Sequence, residues 1–187
     1  DSRYMLWTKI NQKLKSICDN EYCWLEQSFI KDRNELKHDY KPKMPDSWKK
    51  NKNEWLTTSD IENVMNQYMK KHSDFLFIGA VPIDFDTEMS PGMCVVNELC
   101  RIKVSQLLKQ GVNQIGIVFN LDPHDKPGSH WVSFYGNFKT GKLFYFDSYG
   151  FEPPSQVEEL VKRLKEQGSQ NNIPIMYDFN KIRHQYK

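Results

Sequence analysis

Two aromatic segments separated by a short polar turn constrain the fold of this chain more than any other part of its sequence. Residues 128–135 (GSHWVSFY) and 143–150 (LFYFDSYG) are both rich in aromatic and β-branched side chains. Residues 139–142 (KTGK) between them have the composition of a turn. Two such segments joined by a glycine-containing turn predict a β-hairpin.

A histidine opens the first strand of this hairpin and an aspartate closes the second. His130 and Asp147 are the residue types of the orienting half of a catalytic triad, in which a carboxylate fixes the tautomer of an imidazole. A two-residue loop at Thr140 and Gly141 predicts that Phe134 lies opposite Asp147 and that His130 shares their face. That register still leaves the imidazole four residues away, roughly 13 Å at the usual strand rise. We therefore expect a bend or a different register to bring the two side chains together.

The order and spacing of these residues resemble a known family. His130-Trp131, with Asp147 seventeen positions after the histidine in an aromatic-aromatic-Asp-Ser context, is similar to the papain-like ubiquitin-like-protein (SUMO) proteases and to the related adenovirus-type viral maturation proteases. The similarity covers about residues 45–187 and is greatest to giant-virus members of the group. Its other matching pieces are Trp55-Leu56 and residues 81–84, 115–120 and 183–187.

The resemblance implies a fold, an activity and a set of site residues. The implied fold is α+β, of the papain-like SUMO-protease type, with a small mixed or antiparallel sheet flanked by helices. The implied activity is that of a cysteine-type peptidase. The implied site has three catalytic residues and two substrate-binding tryptophans that enclose a narrow channel for a Gly-Gly tail: His130, Asp147, Gln185, Trp55 and Trp131.

The sequence does not contain the nucleophile that the resemblance implies. In the resembled family a Gln-x5-Cys pattern supplies it, and the matching cysteine here would fall beyond Lys187. Cys94 and Cys100 precede His130 and Asp147 in the chain and do not fit the family's order of His, Asp, Gln and Cys. We therefore expect the chain to be truncated at its C-terminus and, as a fragment, to be inactive.

The distribution of apolar residues and prolines predicts three regions. Residues 1–38 are expected to form a helical N-terminal extension, because apolar residues recur there at spacings of three and four. Residues 39–54 contain two prolines and many lysines, and are expected to be an extended connector. Residues 55–187 are expected to form the protease-like catalytic domain.

Local patterns predict the elements of this domain. They are a helix over 61–69 capped by Thr58 or Ser59, a strand over 75–85 that leaves the sheet at Pro82, a helix over 94–108, a strand over 112–121, a helix that Ser155 caps and Gly168 ends, and a strand over 173–177.

Composition argues against several functional classes. The net charge of +2 gives no basic excess of the size typical of nucleic-acid-binding proteins. No apolar run approaches the length of a membrane span. Basic residues cluster over 41–52, where a solvated face is the favoured interpretation and an acidic partner surface the alternative. The chain begins with Asp1 rather than Met, which leaves a targeting signal open.

The remaining side chains with metal or thiol chemistry have weak patterns. Asp84, Asp86 and Glu88 allow a metal site by type, but their spacing alone does not establish one, and we predict no metal and no cofactor. Cys18 and Cys23 have no second pair or histidine beside them, so we expect free thiols in a reducing compartment.

His124 is a second histidine candidate by residue type. It follows Pro123 in the loop that leads to His130, where we expect an exposed side chain rather than a catalytic one.

Two functional hypotheses follow for the full-length protein. The first is a cysteine endopeptidase that cleaves at Gly-Gly or Gly-x sites, either in viral polyprotein maturation or on a ubiquitin-like modifier. The alternative is a catalytically inactive protease-fold protein that binds partners or forms part of a virion. An acyltransferase on the same scaffold is a third option. We expect a location in the host cytoplasm or nucleus, or in the virion, with capsid or virion partners bound through the N-terminal extension.

Overall fold

A mixed five-stranded sheet is the centre of the larger of two units in the computed structural model. The chain divides into the units Asp1–Glu54 and Trp55–Lys187. The residues that the structure describes fall in four ranges: 3–18, 21–31, 50–51 and 54–186.

The described residues of the smaller unit include two short helices, α1 (Arg3–Leu14) and α2 (Glu21–Glu26). The backbone N–H of Cys18 donates to the carbonyl of Leu14 at 2.7 Å, which closes a turn at the end of α1. The division into residues 1–38, 39–54 and 55–187 stays a prediction. Nearly all of the predicted connector lies outside the described residues.

The expectation of free thiols at Cys18 and Cys23 is wrong. Cys18 is bonded to Cys23, and Cys94 is bonded to Cys100. The Cα atoms are 5.3 Å apart in the first pair and 6.4 Å apart in the second. Separations of this size are within disulfide reach. The two cysteines are five positions apart in the sequence in the first pair and six in the second, so each disulfide closes a short loop.

The sheet of the larger unit has the strand order β1-β4-β5-β6-β7. Strands β1 and β4 are parallel, β4, β5 and β6 are antiparallel, and β6 and β7 are parallel. A separate pair, β2 and β3, is antiparallel. The sheet is therefore mixed. The strands are β1 (Phe75–Pro82), β2 (Glu88–Ser90), β3 (Met93–Cys94), β4 (Gln114–Asn120), β5 (Trp131–Asn137), β6 (Lys142–Phe146) and β7 (Met176–Phe179).

Four helices belong to this unit in its described part. They are α3 (Thr58–Lys71), α4 (Asn97–Cys100), α5 (Val104–Lys109) and α6 (Ser155–Gln170). Helix α3 packs against β1, and α5 packs against α6. None of the helices in the described residues is long and apolar enough to cross a bilayer.

The hydrophobic core joins one face of the sheet to α5 and α6. Alternate residues of each central strand point into it, as expected for strands with one buried face. Helix α6 contributes apolar residues at spacings of three and four, which form one helical stripe. The central members of this cluster are Ile115, Ile117, Phe119, Val132, Phe134, Leu143, Tyr145, Val157, Leu160, Val161 and Leu164.

The structure corrects three predicted helix boundaries. Helix α3 is capped by Thr57, whose hydroxyl accepts from the N–H of Asp60, while the Asp60 carboxylate accepts from the N–H of Thr57. This reciprocal pair is a capping box, which satisfies two helix N-terminal donors and so displaces the cap by one residue from Thr58. Ser155 is the first residue of α6 rather than its cap, and Gly168 lies inside that helix.

The helix predicted over 94–108 is two short helices with a break between them. The side-chain amide of Gln167 forms hydrogen bonds with one backbone N–H and one backbone carbonyl at the break. Its Oε1 accepts from the Val104 N–H at 2.8 Å, and its Nε2 donates to the Ile102 carbonyl at 3.1 Å. A tertiary partner thereby replaces the helical hydrogen bonds that the local sequence favours.

The register of the hairpin also differs from the prediction. Asn137 pairs with Lys142, which leaves a four-residue loop instead of two residues, and Phe134 lies opposite Tyr145 instead of Asp147. A shift of two residues keeps every side chain on its predicted face, because the strand period is two. It also moves the aspartate two positions towards the start of β5.

We expect Gln167→Ala to destabilise the larger unit. The N–H of Val104, a fully buried residue, would lose its acceptor, and an unsatisfied buried group costs about 1–3 kcal/mol of unfolding free energy. Urea denaturation followed by circular dichroism measures this loss. Gln170→Ala, an exposed position at the end of the same helix, is the control and should leave the midpoint unchanged. Equal midpoints for the two variants would contradict the role given to Gln167.

Candidate active site

The hairpin places a histidine and an aspartate at the same end of the sheet. His130 directly precedes β5 and Asp147 directly follows β6. His130 Nε2 and Asp147 Oδ1 are 2.7 Å apart. The structure thus joins the two side chains through a different register, which was one of the two routes expected from the sequence.

The hydrogen bonds of the carboxylate define the tautomer of the imidazole. Asp147 Oδ1 also accepts from the backbone N–H of Tyr149 at 2.9 Å. Because an ionised carboxylate only accepts hydrogen bonds, the proton of this pair lies on Nε2 of His130. Nδ1 is then the ring nitrogen that can exchange a proton with a nucleophile or a leaving group.

The two side chains of this pair differ in their exposure to solvent. The side chain of Asp147 is 1% exposed and that of His130 is 17% exposed. The carboxylate lies behind the ring, and the ring keeps an accessible edge. This is the arrangement that an orienting group and a general base require.

Asn180 holds the backbone of Asp147 in place. Its Oδ1 accepts from the Asp147 N–H at 2.8 Å, and its Nδ2 donates to the Asp147 carbonyl at 2.7 Å and to the Ile182 carbonyl at 3.1 Å. Backbone N–H groups only donate and carbonyls only accept, so the orientation of this amide is unambiguous. Asn180 follows β7 directly, and its side chain extends the pairing of β6 and β7 by one step.

The predicted oxyanion residue Gln185 lies beside the same turn. The backbone N–H of Gln185 donates to the Ser148 carbonyl at 2.8 Å. Ser148 Oγ donates to Gln185 Oε1 at 2.7 Å, and Gln185 Nε2 is 3.4 Å from the Tyr149 hydroxyl. Tyr149 in turn lies against the imidazole of His130, with ring centroids 4.8 Å apart. Tyr149 therefore contacts both the side-chain amide of Gln185 and the imidazole of His130.

The turn that carries these groups requires a glycine. Gly150 has φ of +74°, and a Cβ atom there would lie 3.0 Å from the backbone of Ile182 and 3.1 Å from that of Arg183. The guanidinium of Arg183 packs over the Tyr149 ring at 5.2 Å from its centroid. Close approach of two backbone segments at Gly150 thus keeps the Gln185 segment against the Asp147 turn.

A buried tyrosine, Tyr145, lies two positions before Asp147 in the sequence. Burial, and secondarily the negative charge of Asp147, raise the pKa of the Tyr145 hydroxyl. Tyr145 therefore stays protonated wherever the protein is folded at neutral pH, and it does not compete as a general base.

The two predicted substrate-binding tryptophans line one cleft. The cleft has a volume of about 560 Å³. Trp131 Nε1 donates to the carbonyl of Leu56 at 3.0 Å, which fixes the Trp55-Leu56 segment beside the start of β5. Trp55 itself is 73% exposed. Trp131 directly follows His130 in the sequence, but the imidazole itself does not line the cleft in the described part of the chain.

Other predicted candidates have separate structural roles. The acidic loop does not form a cluster: Asp86 binds Arg163, Glu88 accepts from a backbone N–H, and Asp84 binds His124. Among the described residues no group of three or more metal-ligating side chains comes together. His124, expected to be only exposed, has a carboxylate partner 2.6 Å away. Neither the contact between Asn180 and Asp147 nor this pair has a local sequence signal, because each of the two joins residues more than thirty positions apart.

Comparison with known proteins identifies viral cysteine proteases as relatives. No protein-family model matches the chain. A protein named as a thiol protease in Acanthamoeba polyphaga mimivirus is 32% identical over 193 residues, which cover 99% of this chain and 60% of the relative. A cysteine protease of African swine fever virus is 24% identical over 178 residues, which cover 86% of this chain and 64% of that protein. The chain thus spans less than two thirds of the length of either relative.

A solved structure shares the fold. The crystal structure of the selenomethionine form of an African swine fever virus protease matches with a TM-score of 0.60 at 19% identity, covering 96% of this chain and 74% of that chain. The match confirms the predicted α+β fold with its mixed sheet. In sequence the chain is thus similar to these viral cysteine proteases, and in fold it is similar to one of them.

Proposed function

We propose that the full-length protein is a cysteine endopeptidase that cleaves peptide bonds at Gly-Gly or Gly-x sites. The observation that carries this proposal is the 2.7 Å hydrogen bond between His130 Nε2 and Asp147 Oδ1, which orients a partly exposed imidazole at the start of the central strand β5. The nucleophile would be a cysteine that follows Gln185 by six residues. All four cysteines of the present sequence are in disulfides, so none of them offers a thiolate.

The proposed reaction begins with a proton transfer. His130 Nδ1 takes the proton of the cysteine thiol, and the resulting imidazolium stabilises the thiolate, whose sulfur is the attacking atom. Asp147 offsets the charge on the ring through the Nε2 hydrogen bond. The sulfur adds to the carbonyl carbon of the substrate, and the electron pair of the C=O bond moves to the oxygen.

Gln185 would stabilise that oxygen. Its side-chain amide donates to the developing oxyanion, a contribution of roughly 3 kcal/mol by comparison with other oxyanion donors. The C–N bond then breaks as His130 Nδ1 returns its proton to the leaving amine. Water, deprotonated by the same nitrogen, hydrolyses the thioester and restores the thiol.

The tryptophan cleft supports specificity for glycine. Two flat indole walls leave room for a main chain but little room for a Cβ atom. Trp131 is fixed to the Leu56 carbonyl, so the walls do not separate freely. A curated relative in African swine fever virus is named as a SUMO-1 cysteine protease, which supports a ubiquitin-like modifier as one substrate class. A viral polyprotein with Gly-x sites is the other.

The viral relatives support a viral setting for this activity. We propose that the protein acts in the host cytoplasm or nucleus, or in the virion, with capsid or virion partners reached through residues 1–38. The alternative is a protease-fold binding or virion protein without activity, and the disulfide-bonded state of all four cysteines is the observation in its favour.

We expect His130→Ala in the full-length protein to reduce peptidase activity about 10²–10⁴-fold, the usual contribution of a general acid–base group. Turnover of a fluorogenic Gly-Gly peptide, and labelling by a thiol-reactive Gly-Gly probe, measure the loss. His72→Ala, at the exposed end of α3, is the matched control and should keep full activity. If the unmodified protein neither turns over the peptide nor reacts with the probe, the binding or structural alternative is correct.

Asp147→Asn should retain the hydrogen bond to Tyr149 but lose the charge opposite the imidazolium. We therefore expect a lower kcat with an unchanged KM, because the ring geometry of the free site is preserved. Steady-state kinetics of the same peptide separate the two constants. An Asp147→Asn variant with normal kcat would show that the carboxylate has only a structural role.

Asn180→Ala should affect both stability and activity. The buried backbone of Asp147 loses one acceptor and one donor, which costs about 1–3 kcal/mol of unfolding free energy per unsatisfied group. Urea denaturation and the NMR signal of the His130 Nε2 proton measure the two effects. Lys181→Ala, an exposed neighbour, is the control. An unchanged proton signal in Asn180→Ala would remove the positioning role.

A further inference from the structure

A second histidine–carboxylate pair has its histidine in the wall of the tryptophan cleft. His124 Nδ1 is 2.6 Å from Asp84 Oδ2, and the backbone N–H of His124 donates to Asp84 Oδ1 at 2.9 Å. Both carboxylate oxygens of Asp84 therefore accept hydrogen bonds from His124, one from its backbone and one from its ring. Since a carboxylate accepts, Nδ1 carries the proton, and Nε2 is the ring nitrogen left for a ligand.

The loop that carries His124 is fixed at its base without this pair. The Leu121 N–H donates to the His130 carbonyl at 2.9 Å. Asn120 Oδ1 accepts from the N–H groups of Asp122 at 3.0 Å and Ser129 at 3.2 Å. The base is therefore closed by backbone and amide contacts, and the carboxylate of Asp84 positions the middle of the loop, where the histidine lies.

The two members of the pair differ in their exposure to the cleft. His124 lines the cleft, whereas Asp84 lies behind the ring and does not line it in the described part of the chain. Their side chains are 39% and 17% exposed, respectively. Within the same described residues, Nε2 of His124 has no hydrogen-bond partner. This is the arrangement of a ring oriented from behind by a carboxylate and directed at a ligand.

The cleft has apolar or aromatic side chains such as Trp55 and Val96, and polar ones such as Thr58. On its loop side, Asn120 Oδ1 already accepts two backbone N–H groups. Asp122, on the polar side, already accepts from the Ser129 hydroxyl at 2.9 Å. A peptide N–H buried without a partner costs free energy, so an extended peptide in this cleft needs an acceptor on the loop side.

We propose that His124, oriented by Asp84, is a substrate-recognition residue whose Nε2 accepts a hydrogen bond from a main-chain N–H of an extended peptide in the cleft. The proposal rests on the proposed function for the nature of the ligand. It gives the protein a second, non-catalytic imidazole with its proton on Nδ1, in addition to the proposed catalytic imidazole with its proton on Nε2. His124 would determine peptide affinity, while His130 would determine the rate of the chemical step.

Two substitutions separate the functions of the two ring nitrogens. His124→Asn keeps an N–H donor near the position of Nδ1 and removes Nε2, so it preserves the contact to Asp84. His124→Gln places a polar amide near the position of Nε2 and loses that contact. Asp125→Asn, on an exposed residue of the same loop, is the control that should match the unmodified protein.

In full-length protein acting on a Gly-Gly peptide, we expect His124→Asn to raise KM roughly three- to ten-fold, as for the loss of one neutral hydrogen bond. Its kcat and thermal midpoint should be unchanged. His124→Gln should have a KM between those of the unmodified protein and His124→Asn, and a thermal midpoint below that of the unmodified protein. If His124→Asn has a normal KM, the residue only fastens the loop and the proposal is wrong.

A binding measurement distinguishes failure of this proposal from failure of the proposed peptidase activity. A Gly-Gly peptide is titrated into the present chain, with the ¹⁵N signals of the histidine rings as the readout. If the ¹⁵N signal of His124 Nε2 moves from its position in the unliganded chain and the change saturates with added peptide, recognition is supported. This holds whether or not the full-length protein has peptidase activity. Saturable binding without that shift, or no binding at all, contradicts it.

Discussion

The buried carboxylate of Asp147 is the constraint on which the site depends. An ionised group removed from water is costly unless it is paired and hydrogen-bonded. One of its oxygens accepts from the imidazole of His130 and from the backbone of Tyr149. The same contacts that offset the cost of burial fix the tautomer of the ring, so the stability of the turn and the chemistry of the imidazole have one physical origin.

The amide of Asn180 connects this turn to the segment that carries Gln185. It binds the N–H and the carbonyl of Asp147 and also the carbonyl of Ile182. The hydrogen bonds of Ser148 to Gln185 add a second link between the two segments. The imidazole, its carboxylate and the proposed oxyanion donor therefore belong to one hydrogen-bonded assembly at the ends of β6 and β7.

The loop between β4 and β5 relates this assembly to the cleft. Gly128, at φ of +97°, approaches the side chain of Asn120 more closely than any Cβ atom would allow. The loop can therefore return to His130 while it forms a wall of the cleft through His124. Two imidazoles that differ in the nitrogen held by a carboxylate are thus positioned by one loop, one at its end and one in its middle.

The sequence by itself determined the hairpin, its inward and outward faces and the class of fold, and it predicted the residues of the candidate site. It did so because the alternation of apolar residues is a property of single segments, and the order His, Asp, Gln can be read directly along the chain. The tertiary structure decided the four-residue loop that sets the register, the break between α4 and α5, the disulfides, and the contacts of Asn180 and His124. These depend on partners as far apart as Val104 and Gln167 or Asp84 and His124, and no periodicity in one segment encodes a hydrogen bond supplied by another.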